Sequence, residues 1–250
     1  MDLSSVIGLV LGIGAVFGGA AMEGLPMHSI LQFTAFVIVL GGSIGAMLLS
    51  TPTATLKEGL ALTKELFFFD TSQAKVMAGL ILQYAETARR DGIVVLEKTI
   101  EQVPDLFLRR ALKCAVDGMD IEQITDIMET EIWTNEEKEN NAGKMYETCG
   151  GYCPTIGIIG AVLGLIHVMH GLALGSGTEE MGSGIAVAFV ATIYGVGAAN
   201  LIFIPFGNKL KARAADKRKA RQMILKGVLS IVQGKHPMII QEELKSFQCF

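Results

Sequence analysis

MGSGIAVAFVATIYGVGAANLIFIPFGNKLKARAADKRKARQMILK, residues 181–226, changes character once along its length. Met181–Phe206 has no charged residue, whereas eight residues from Lys209 to Lys226 are Lys or Arg. A bilayer-spanning helix needs roughly 20 mostly apolar residues. Lys and Arg concentrate on the cytoplasmic side, close to the ends of such helices. The stretch therefore reads as a span whose cytoplasmic end lies near Phe206, followed by a basic helix that continues it.

Three further runs qualify as spans: Leu3–Met22, His28–Leu49 and Tyr152–Leu174. All 21 Lys and Arg residues fall between Lys57 and Lys144 or between Lys209 and Lys245. The connections Glu23–Met27 and Gly175–Glu180 are short, contain Glu, and have no basic residue. They predict two helical hairpins with outward-facing turns, and termini and a large loop in the cytoplasm. The first run does not read as a cleaved signal peptide, because it lacks a basic n-region and a second span follows at once.

The fold class is then an all-α integral membrane protein with four transmembrane helices in two hairpins. Its parts are a hairpin over 1–50, a cytoplasmic helical domain over 51–150, a second hairpin over 151–207 and a basic helical tail over 208–250. Within the loop, Met77, Leu80, Ile81, Tyr84 and Ala88 recur near a 3.6 period and predict a helix over Val76–Arg90. Asp91-Gly92 breaks it, and a helix resumes over Ile93–Glu101. Helices follow over Leu106–Val116 and Ile121–Asn135, and Glu136–Tyr146 runs on into the third span as one long helix.

Composition removes several function classes. The net charge is −4 and no basic face is interleaved with aromatics, so nucleic acid is not an expected partner. No phosphate-binding loop of the G-x-x-x-x-G-K-S/T type exists, and Gly12-Ile13-Gly14 lies inside a span. No Ser–His–Asp arrangement can be argued, and an enzyme is not expected. Cys114, Cys149, Cys153 and Cys249 lie on or near the cytoplasmic side, where disulfides are not expected. Cys149 and Cys153 lack the further ligands of a zinc site. His167 and His170 share a face of the third span near its outer end; an interfacial position is the commoner reading for such a pair, ahead of a metal or proton relay.

The small-residue pairs Gly8/Gly12, Gly14/Gly18, Gly41/Gly45 and Gly160/Gly164 let helix backbones approach closely in lipid. They outnumber the faces one protomer can use, so self-association is expected.

An intramembrane carboxylate is the usual ion relay, and the four spans contain no Asp or Glu. An ion-handling chain of this kind must borrow its acid from a partner. The polar residues that the spans do carry include Thr155, Ser183, Thr192, Tyr194 and Asn200. The hydroxyl of Thr192 either bonds back to its own helix or faces a partner and a wet path; spacing leaves both open. Pro154 and Pro205 sit near the cytoplasmic ends of the third and fourth spans, either as boundary punctuation or as paired hinges.

CPTIGIIGAVLGLIHVM (153–169) and GIAVAFVATIYGVGAANLIFIPFGNKLK (184–211) resemble spans three and four of the MotA/PomA family, the A subunits of the bacterial flagellar stator. The likeness extends over the whole layout. It implies a homopentameric ring around two helices of a single-span MotB/PomB-like B subunit, each supplying the ion-binding Asp. It also implies a bacterial inner-membrane location, with the cytoplasmic loops acting on the rotor switch protein FliG and the lipid bilayer as surroundings.

Residue by residue, Pro154 and Pro205 match the family's two functional prolines. Thr192 matches its span-four threonine near the ion path, to which Thr155 is added. ARRDGIVVLE (88–97) matches the charged rotor-contact segment, with Arg89 and Glu97 on the main charged positions and Arg90 adjacent. Ala161 stands where sodium-type members usually carry Thr, which favours protons as the translocated ion, with no other cofactor. The competing expectations are a sodium-driven PomA/MotP-type stator and an ExbB/TolQ-like energiser of outer-membrane transport; the latter family typically has three spans in another order.

Overall fold

The structure, a computed structural model, describes residues 2–68, 73–175 and 178–247. Cys249 and part of the predicted turn Gly175–Glu180 lie outside these. Every regular element among the described residues is helical. Two compact units are set discontinuously along the chain, one from residues 1–69 and 139–211, the other from 70–138 and 212–250.

The first unit holds the four membrane spans. The first is α1, Leu3–Met22. The second is interrupted: α2 (Met27–Ile30) ends at Leu31, and the span proper begins with α3 (Phe33–Phe36), widens through a π turn at Val37–Gly41 and ends with α4 (Gly42–Ser50). The expected unbroken run from His28 to Leu49 is corrected here, because Leu31 and Gln32 leave helical dihedrals. The loop then opens with α5 (Thr53–Leu62) and a 3₁₀ turn at Thr63–Leu66. The sequence reading had no element there.

The second unit begins with α6, Gln73–Asp91. Gly92, at φ 86°, ends that helix, and the predicted helix Ile93–Glu101 is a 3₁₀ turn, Ile93–Leu96, followed by α7, Glu97–Ile100. Helix α8, Leu106–Val116, has the bounds expected, and the Asp105 carboxylate caps it by accepting from the Leu108 amide at 2.7 Å. Residues 121–173 form one helix of 53 residues, α9. The fourth span lies within a run of α10 (Thr178–Ala198), a π turn at Ala199–Phe203 and the start of α11 (Ile204–Val232), whose remainder is the basic helix. Helix α12, Pro237–Lys245, follows.

Large side chains fill the second unit. Ile81, Leu108, Leu112, Ile124, Met128, Met223 and Leu244 are buried together. Gly227 lets α6 and α12 close on α11, since a Cβ there would stand 2.7 Å from Ile81 Cγ2. A latch ties α12 down: the Glu243 carboxylate accepts from Lys235 Nζ at 2.5 Å and from the buried Ser230 hydroxyl at 2.6 Å. Those two donors hold the Glu243 carboxyl below the usual carboxylate range.

The basic helix after span four is not a free cationic surface. In the first unit Lys209 pairs with Asp2 at 2.6 Å and Lys211 with Glu147; in the second, Arg218 pairs with Glu136 at 3.3 Å. Asp2 also donates its amide to Phe67 O, which fastens the start of α1 to the end of the 3₁₀ turn. Phe206 packs edge-on against Phe67 and Tyr146 at centroid distances of 5.9 and 6.1 Å.

Candidate functional site

The third and fourth spans meet along a seam with almost no side chains. A Cβ built on Gly157 would lie 2.9 Å from Ala191 O, one on Gly195 2.5 Å from Cys153 O, and one on Gly164 3.0 Å from the Ala188 amide. Lipid tails are as apolar as leucine, so helices in a bilayer gain cohesion from such close packing. Of the predicted small-residue pairs, Gly160/Gly164 is used inside the protomer. A Cβ built on Gly8, Gly14, Gly18, Gly41 or Gly45 would meet nothing within 4 Å among the described residues, and one on Gly12 would meet only Leu201 Cδ2, at 3.3 Å.

The predicted ion-path residues lie along these two spans. Thr192 is half-buried and donates Oγ1 to Ala188 O at 3.3 Å. Its Cα is 3.5 Å from a Cβ built on Gly157, so it sits at the edge of the seam. Thr155 is exposed and donates to Tyr152 O at 2.8 Å. Ala161 is half-buried and has no polar atom to offer. Both threonine hydroxyls thus carry a bond within their own helix, and each oxygen still has lone pairs for a partner or water.

Neither predicted proline ends its helix. Pro154 lies inside α9, where its missing N–H leaves the carbonyl of Gly150 without its usual donor. Gly150 is also a point of close approach to the fourth span: a Cβ there would meet Ile204 Cγ1 at 2.8 Å and Phe203 Cβ at 3.2 Å. Pro205 follows directly, preceded by the π turn that widens the backbone. Asn200 Nδ2 donates to Val196 O at 2.9 Å and so gives a carbonyl just before the π turn a side-chain donor. The ladder is therefore interrupted in both helices around one contact, that of Gly150 with Phe203 and Ile204. Cys149 and Cys153 are buried beside Ala199 at the same place, and with Cys114 they are free thiols.

The break in the second span is a feature the sequence reading missed. Tyr194 of span four donates its hydroxyl to Ile30 O at 2.7 Å and accepts from the Gln32 amide at 3.2 Å. Backbone polar groups left unsatisfied in lipid cost several kcal/mol, and one phenol serves both sides of the break. Gln32 Nε2 donates to Ser29 O at 3.1 Å, while Oε1 is enclosed without a partner among the described residues. The available signal was Gln32 itself, an amide within an apolar run.

The segment 88–97 belongs to the second unit. Arg89, Arg90 and Glu97 are all exposed. Arg90 is committed to its neighbour, with Nη2 2.9 Å from Asp91 Oδ2, and the pair keeps Asp91 below the ordinary carboxylate range. Val94 is 63% exposed and Val95 40%, so the tip of this segment is apolar between charged flanks. His167 and His170 are exposed on the third span.

This layout matches known proteins along its entire length. The model of the MotA/TolQ/ExbB proton channel family matches residues 99–223, and that of the motility protein A N-terminal region matches 6–92. Motility protein A of Bacillus subtilis (strain 168) is 34% identical over 98% of this chain and 90% of its own length. The chain belongs to the motility protein A family. Two solved complexes share the fold. The C. jejuni MotAB structure superposes with a TM-score of 0.90 at 30% identity, covering 99% of this chain and 96% of its own. The flagellar MotAB stator complex from Bacillus subtilis gives 0.86 at 33% identity, covering 98% and 95%. Membership in the motility protein A family accounts for the four apolar helices, which are each long enough to cross a membrane.

Proposed function

We propose that this chain is the A subunit of a flagellar stator, which couples proton flow across the bacterial inner membrane to torque on the rotor. Similarity to two MotAB complexes over nearly the whole chain supports the stator role. The observation that carries the ion mechanism is the absence of any Asp or Glu from four complete spans. A channel subunit built this way needs an acid from elsewhere, and a single-span B subunit with a membrane Asp supplies it. Thr192 and Thr155 then offer neutral oxygens along the path, while Ala161 offers none, which favours the proton over sodium. Ion passage is read out through Pro154 and Pro205, where two helices with interrupted ladders touch. Arg89, Arg90 and Glu97 meet the rotor switch protein FliG on the cytoplasmic side, and five copies of the chain form the ring. No resident cofactor and no enzymatic step enter this scheme.

Co-expression tests the core of the reading: a single-span chain bearing a membrane Asp should co-purify, and its absence would sink the stator assignment. Swimming speed should be indifferent to external sodium; a dependence on sodium would move the chain to the sodium-driven class. Arg89→Glu should reduce torque, and unchanged torque would remove the segment 88–97 from the rotor contact.

A further inference from the structure

The C-terminal ends of α6, α8 and α11 converge on a pocket of about 300 Å³. Three alanines, Ala85, Ala88 and Ala115, leave the hollow open, and Ile93, Met119 and Ile231 complete its walls. Each of the three helices ends in a glycine at positive φ, Gly92, Gly118 and Gly234 at 86°, 78° and 68°. That conformation turns the chain away sharply, so the helix ends surround the opening without covering it. A volume at the bottom of the range for ligand sites suits one large side chain better than an extended molecule.

Two cations stand at the rim, Arg89 and Lys235. Lys235 is engaged by Glu243 at 2.5 Å, and the neighbouring Arg90 by Asp91 at 2.9 Å. Arg110, on α8, is engaged by Glu131 at 2.6 Å. The Arg89 side chain makes no ion pair or hydrogen bond among the described residues and is exposed. An apolar hollow with one uncommitted guanidinium at its lip has a defined complement. That complement is a helix face with a Leu-, Met- or Phe-sized side chain next to a carboxylate, three or four residues away so that both point the same way.

We propose that this pocket is a socket for such a helix on the rotor protein, the apolar side chain entering the hollow as the carboxylate meets Arg89. The proposal rests on the reading that segment 88–97 faces the rotor, and it changes what that contact is made of. Exposed ion pairs alone hold weakly and are screened by salt. An apolar anchor seated in a pocket carries the energy at most protein interfaces, and charges at the rim set approach and register. Val94 and Val95, exposed on the same turn as Ile93, extend the apolar surface outward from the socket.

The test measures affinity of the purified full-length complex in nanodiscs for the purified rotor switch protein, at low and high salt. Ala88→Leu fills the hollow from a helical position that accepts leucine, and should weaken binding about tenfold at both salt concentrations. Ala88→Ser, nearly isosteric, should weaken binding far less than Ala88→Leu. Arg89→Glu should weaken binding mainly at low salt and flatten its salt dependence. If Ala88→Leu binds like the wild type while Arg89→Glu is impaired, the socket is wrong and the rotor contact stands. If neither variant is impaired, the rotor reading itself fails. Equal loss in Ala88→Ser and Ala88→Leu would show general disruption of the surface and overturn the socket. A changed mass of the complex in Ala88→Leu would mean that a second copy of this chain occupies the pocket, which also overturns it.

Discussion

The two units of this chain are both helical, yet they are held together by opposite means. The second unit has a core of Leu, Ile and Met side chains like that of a water-soluble protein. In the first, backbone meets backbone across Gly157, Gly164 and Gly195, and the first span buries none of its residues within the protomer. The difference follows from the solvent. In water, removing large apolar side chains from contact with solvent drives packing. In lipid that gain is absent, and small residues serve better because they let dispersion and backbone contacts form over a long seam.

The largest expected effect breaks the membrane seam. Gly195→Leu places side-chain atoms where Cys153 O already stands, 2.5 Å from the Cβ position, and should cost about 4 kcal/mol, seen as failure to accumulate in the membrane. Leu112→Ala should cost about 3 kcal/mol through a cavity, seen as lost amide-exchange protection in α8 with the spans unaffected. A seam variant that left the spans stable, or a core variant that loosened them, would show the two packing modes to be less separate than described. Tyr194→Phe should cost about 1–2 kcal/mol and speed exchange at the Gln32 amide, since the hydroxyl serves both sides of the break.

The smaller effects sharpen the contrast. Glu243 has its pKa depressed in the folded state, so its contribution is complete above the ordinary carboxylate range and is lost as pH falls through the depressed value. Acid should therefore loosen α12 by about 1 kcal/mol, and Glu243→Gln should abolish that pH dependence in a melting experiment. Gly18→Ala should leave the protomer unharmed or raise its stability by up to about 1 kcal/mol, because nothing lies within 4 Å. Gly18→Leu should spare the protomer and lower the oligomer mass if the open glycines of α1 face a neighbouring copy.

Four helices long and apolar enough to cross a membrane could be read directly, because an uncharged run of this length has few other uses. Helix α8 was legible to its end residues, since Asp105 caps it and Asp117-Gly118 stops it. The interruption at Leu31-Gln32 was not, because it depends on a phenol 162 residues away from Gln32. Arg89, Arg90 and Glu97 were legible as charges on a segment, but the exposure of Val94 and Val95 was not, since β-branched residues next to Leu96 read as core.

By itself the sequence determined what depends on solvent preference: which segments are apolar enough to enter lipid, that every cation lies outside them, and that no carboxylate is available within them. These are one-dimensional properties, set by transfer free energy summed along a run. Only the tertiary structure decided which glycines touch and which are left open, that Arg90 is committed while Arg89 is not, and that three helix ends leave a hollow beside it. Those outcomes depend on the approach of segments distant in the chain, where a few tenths of an ångström separate a contact from a clash.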